Sequence, residues 1–221
     1  MNLSYGQIEA LLKNLHGVAP EKAIALKGRL NHFQRAKFPR NVNVGRGPRA
    51  TYDVEATFGL VFAFELLRLR IPPLTAVQMI TANWPLFRRM LVIGWRAWID
   101  DDVERQTRRS RKVPDRHRRP DRPFAVIFPT GLENLTRPGR PSGEFERVQM
   151  LGARDIASWL GAGGSLPSPA VQILDFVAVT KRTLDVLAEL GIAGLDEESY
   201  YQVVDFMDAV EGPNAEPAPA E

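Results

Sequence analysis

Between Pro20 and Pro39 the sequence spaces Lys27, Gly28, Asn31 and Arg35 so that a helix turning 100° per residue gathers them on one side, with His32 at the flank. An arginine can pair through two donors with guanine O6 and N7, and an asparagine with adenine N6 and N7. A glycine in the same stripe lets the helix backbone come close to whatever it meets. Further along, Arg46 and Arg49 flank Gly47-Pro48, a turn narrow enough to carry a guanidinium to a groove or a phosphate, and Arg40 is placed as a phosphate contact. Residue types in this arrangement predict a surface that reads double-stranded DNA.

Other chemistries find little support. His16, His32 and His117 are far apart and match no metal-ligand spacing. Asp100, Asp101 and Asp102 are consecutive, so a helix would fan them apart rather than bring them to one ion. The run Gly161-Ala162-Gly163-Gly164-Ser165 lacks the Gly-Lys-Ser/Thr ending that a phosphate-cradling loop needs, and reads as an ordinary loop. With no cysteine in the chain, thiolate nucleophiles and disulfides are excluded, and no nucleophile, base and orienting group occur together. The expectation is a protein that is not an enzyme and uses no metal or other cofactor.

Charge is distributed unevenly. Residues 1–52 hold nine Lys/Arg and two Asp/Glu, residues 105–122 again nine and two, and residues 123–221 only six against fifteen. Two blocks of +7 can neutralise phosphates and release their counterions, whereas a block of −9 is repelled by the same polyanion. The acidic end is therefore expected to face away from DNA. Asn2, Ser4, Gln7 and Glu9 interrupt the apolar run a secretion signal requires, and Glu65 breaks the longest apolar stretch, so a cytoplasmic chain with no membrane segment is expected.

The elements that must hold these residues are legible in outline. Ser4 with Gln7 forms the pattern of a capping box before apolar Ile8, Leu11, Leu12 and Leu15, and Gly17 stops that helix. After the turn, Pro20 opens a second helix whose Ala23, Leu26, Leu30 and Phe33 share the opposite side from Lys27 and Asn31. Residues 41–44 and 49–52 read as the two strands of a hairpin, the wing. Asp53 caps an apolar helix over 54–70, and shorter helical patterns follow at 74–80 and 85–104. A strand over 124–128, a second over 147–151, a helix over 153–160 and long helices over 169–190 and 197–210 complete the chain, Asp196 capping the last.

The resulting fold class is mainly α with small β content: a winged helix-turn-helix followed by a helical or α+β C-terminal domain. The divisions are 1–82 for DNA binding, 83–104 as a connecting or dimerisation helix, 105–122 as a basic linker, 123–211 as a regulatory or interaction domain, and 212–221 as a Pro/Ala-rich disordered tail.

Residues 30–38, Leu-Asn-His-Phe-Gln-Arg-Ala-Lys-Phe, resemble the recognition-helix pattern Leu-Arg-Tyr-Tyr-Glu-Arg-x-Gly-Leu of MerR-like transcription regulators, with Lys37 standing at that family's glycine. The succession of elements after it is similar too: a glycine-rich wing with Arg46, Arg49 and Tyr52, then Leu66 to Ile71, then Leu74 to Ile80. The likeness covers about residues 3 to 80. It implies a homodimer on an inverted-repeat promoter site, paired through a long helix, for which 85–104 and 169–190 are both candidates. RNA polymerase or another protein is expected as a further partner through the acidic C-terminal domain. The alternative is a protein-interaction adaptor or phage-packaging component that keeps the helix-turn-helix fold for protein contacts, with residues 123–221 as its binding part.

Overall fold

A computed structural model of the 221-residue chain describes residues 1–40, 42, 50–108, 123–128, 148–161, 171–195, 198–201 and 204. Secondary structure is mainly helical, with two small antiparallel sheets. Strand β1 (Leu3–Ser4) runs into helix α1 (Tyr5–His16), and Ser4 caps that helix. The Gln7 amide donates to the Ser4 Oγ at 3.4 Å, while Gln7 Oε1 accepts from the Ser4 amide at 2.8 Å, so two otherwise orphaned donors are satisfied reciprocally. Gly17 ends α1 in the left-handed region at φ +57°, where a residue without Cβ is unstrained.

A 3-10 turn over Pro20–Lys22 leads into α2 (Ala23–Arg35). Strand β2 (Thr51–Tyr52) then pairs with β1, Leu3 opposite Tyr52 and Ser4 opposite Thr51. The expected hairpin joins 49–52 to 41–44, and of 41–44 only Val42 is described. Residues 41 and 43–49, with Arg46 and Arg49, lie outside the described residues.

Helix α3 (Val54–Arg68) is capped by Asp53, whose Oδ1 accepts from the Ala56 amide at 2.8 Å. Every residue from Ala56 to Leu66 is buried, Thr57 and Glu65 included, and a helix buried all round has to be central. Helices α4 (Pro73–Ala82) and α5 (Trp84–Arg108) come next. In α5, Phe87, Met90, Leu91 and Trp95 form the buried stripe. The helix runs beyond the Asp100–Asp102 triplet and takes in residues 105–108, the first part of the segment expected as a linker.

Strand β3 (Pro123–Ile127) lies between β4 (Val148–Gly152) and β5 (Gln172–Leu174) in an antiparallel sheet, and α6 (Ala153–Leu160) leaves β4 directly. The helix expected over 169–190 begins only at Phe176: α7 (Phe176–Glu189) is capped by Asp175, which accepts from the Ala178 amide at 2.8 Å. Val171 and Ile173 favour extended backbone because their branched Cβ restricts χ1, and Asp175 supplies the break between strand and helix. Residues 198–201 are helical, whereas Asp196 and most of 202–210 lie outside the described residues.

One hydrophobic cluster contains residues from Leu3 to Tyr200. Helix α7 packs on α1, α3, α5 and β3, so the core crosses the boundaries drawn at 83 and 123. Phe176 meets Phe62 at 4.7 Å and Phe87 at 5.1 Å, both edge-on, an arrangement that ring quadrupoles favour. The apolar stripe of α5, the helix expected as a connecting or dimerisation element, packs within the chain on α7, the other helix expected to pair subunits. Among the described residues no helix is long and apolar enough to cross a membrane.

Candidate nucleic-acid interface

The position of α2 is set from its inner side. Leu26, Leu30 and Phe33 are buried, and Phe33 packs on Phe38 at 5.9 Å and on Phe64 of α3 at 5.6 Å. Gln34 Nε2 donates to the hydroxyl of Tyr52 at 3.0 Å, tying the helix to β2. Rotation about the axis is therefore fixed, and the outward side of α2 is dictated by its sequence.

Facing away from that core are Ile24, Lys27, Gly28, Asn31 and Arg35, with His32 and then Arg29 along one flank, all exposed. The structure thus brings five of the expected residues, Lys27, Gly28, Asn31, His32 and Arg35, to the exposed side of one helix. Arg40 is exposed as well and lies beyond the helix end, after the turn through Lys37. The polar side chains differ in freedom. Lys27 Nζ stands 3.5 Å from a Glu9 oxygen, and Lys13 holds the same carboxylate at 2.6 Å. The Lys13 hydrogen bond, opposed by slight burial and helped by the charges of Lys13 and Lys27, keeps the Glu9 carboxyl below its usual range. Asn31, Arg29 and Arg35 have no hydrogen bond or ion pair among the described residues, so their donors face solvent.

Gly28 is the least expected residue in a helix interior. A Cβ built there meets nothing within 4 Å, so packing inside the chain does not require glycine. Relative to alanine, glycine costs a helix about 1 kcal/mol.

Two residues of this surface were missed in reading the sequence, Ile24 and Arg29. The signal for Ile24 is its helical angle, which puts it at the middle of the polar stripe. The turn after α2 also carries information: Lys37 adopts φ +54°, a left-handed conformation that costs a residue with a Cβ roughly 1–2 kcal/mol.

The remaining candidates fall elsewhere. His16 is the last residue of α1, half-buried against Phe64 at 5.7 Å between ring centroids and 3.8 Å from Glu65. Burial, helped by the charges of Arg68 and Arg182, lowers its pKa to about 4, so the ring is neutral at pH 7. Burial likewise pushes Glu65 up, against the opposing pull of Arg68, which donates to it at 2.8 Å. Asp100 pairs with Arg96 and Asp101 with Lys181, and no group of three His, Asp or Glu among the described residues could hold a metal ion. Residues 109–122, with His117 and most of the second basic block, lie outside the described residues, as do 162–165.

No protein-family model, no curated protein and no solved structure matches this chain.

Proposed function

We propose that this chain is a sequence-specific DNA-binding protein, a transcription regulator of MerR-like type, that lays the exposed side of α2 in the major groove as the second helix of a winged helix-turn-helix. One observation carries the reading: Lys27, Gly28, Asn31 and Arg35 form an outward stripe opposite a rigidly packed core stripe, on a stretch from Lys22 to Tyr52 with eight Lys/Arg and no Asp/Glu. Phosphates are neutralised by the lysines and arginines, while Asn31 and Arg35 have the donor geometry for base edges. The left-handed turn at Lys37 supports the resemblance, because a glycine stands at that position in the family's pattern. In this reading Arg46 and Arg49 form the wing, two copies bind an inverted repeat, and the acidic C-terminal part serves RNA polymerase or another protein.

The test is a gel shift of the full chain on duplexes recovered from its own genome. Specific binding should weaken steeply with salt, and changing Asn31 and Arg35 to Ala should remove discrimination against random DNA. Specific binding that survives both changes takes the interface away from α2. A chain with no DNA affinity at physiological salt overturns the proposal.

A further inference from the structure

Ile24 is 83% exposed, more than any other exposed large hydrophobic residue described, and it lies on the polar side of α2. Single exposed apolar side chains are common on proteins, so exposure alone carries no argument. Its surroundings do. At 100° per residue, Asn31 and Arg35 fall within about 20° of the line through Ile24, with Gly28 and Lys27 on either side of that line. One turn from Ile24, the missing side chain of Gly28 leaves open space that none of the described residues fills. An apolar side chain beside a bare patch of helix backbone, set among donors, fits a rigid polar partner that offers one small apolar group.

The partner's charge follows from the absence of any acid between Lys22 and Tyr52. Of the groups that base pairs present in the major groove, only the thymine C5 methyl is apolar, and helices in that groove contact bases chiefly through their N-terminal residues. Ile24 is the second residue of α2. We propose that Ile24 is a specificity-determining residue that reads a thymine through its C5 methyl, Gly28 allowing the helix to come close enough. The inference rests on the reading of α2 as the DNA-contacting helix.

The full-length chain selects its preferred site from a random-sequence duplex library, and each thymine of that site is then replaced in turn by deoxyuridine, which lacks only the methyl. At one thymine of the site the wild type is expected to lose affinity about fourfold, the scale of one buried methyl-sized group. Ile24→Ala loses at least as much on the thymine site and nothing further on uracil at that position, whereas Ile24→Val keeps the preference. Thermal melts of both variants should match the wild type, because the side chain is exposed.

If uracil is tolerated at every thymine, or if Ile24→Ala retains the methyl dependence, Ile24 is not the reader, while specific DNA binding stands. If no site is selected, the DNA-binding reading itself falls and this inference with it. Self-association that Ile24→Ala abolishes, with DNA affinity unchanged, overturns it in favour of a second copy of the chain.

Discussion

A Cβ built on Gly94 of α5 would lie 2.6 Å from the Cβ of Thr180 in α7, closer than two carbon atoms approach without a bond. The backbone of α5 at Gly94 packs directly on the Thr180 side chain of α7, and the atom in the way belongs to the stiff, branched root of that threonine rather than to the end of a flexible chain. Gly94→Ala is therefore expected to force the helices apart and destabilise the protein by about 1–3 kcal/mol. Urea unfolding measures this, and an unchanged midpoint would mean that α5 and α7 do not approach closely at Gly94.

The same substitution at Gly28 should have the opposite sign. Alanine there meets open space within the chain and improves helix propensity, so Gly28→Ala should stabilise by about 0.5–1 kcal/mol. On the proposed DNA contact its affinity for DNA should fall, because the added methyl would keep the helix off the groove. Melting and binding measured on one preparation separate the two effects, and a stabilised variant with undiminished affinity would argue that nothing approaches α2 at this residue.

Lys37→Gly relieves a left-handed backbone conformation and is expected to raise stability by about 1 kcal/mol, offset in part by the greater freedom of glycine in the unfolded chain. Denaturant unfolding of the variant checks the sign. A clear loss would assign Lys37 a contact that outweighs the strain.

His16 sets a pH dependence. Its folded pKa of about 4 lies below the ordinary 6.5, so the unfolded chain binds the proton first and stability is lost as pH falls from about 6.5 towards 4. Glu65 acts in the other direction: its raised pKa penalises folding at neutral pH, and protonation removes that penalty as the pH falls. His16→Gln should flatten the decline between pH 7 and 5, as measured by urea titrations at both values. An equally steep decline in the variant would place the titrating group elsewhere.

Local signals in the sequence carried much of the fold. The Ser4 and Gln7 cap, the Gly17 stop, the Asp53 cap and the strand-to-helix step at Gly152 all lie within a few residues of the partner that makes them work. Pairings between distant residues were not legible. Tyr52 meets Leu3 across the whole span of α1 and α2, and no turn rule reaches that far. The stripe of α5 looks the same whether a second chain or α7 covers it, since apolar periodicity records that a face is buried and not by what. For the candidate site, residue type and helical angle predict the exposed stripe of Lys27, Asn31 and Arg35, while an apolar residue such as Ile24 carries no polar signal that sets it apart from the core.

The place of α7 bears on how the protein is made. Phe176, Leu184 and Leu187 are fully buried, and their helix packs on α1, α3 and α5. During synthesis, then, the first helix waits for residues made some 170 positions later before its last neighbour arrives. A nascent chain stalled after α4 would still expose apolar surface to chaperones and proteases, and residues 1–82 cut out as a module would inherit the same exposure.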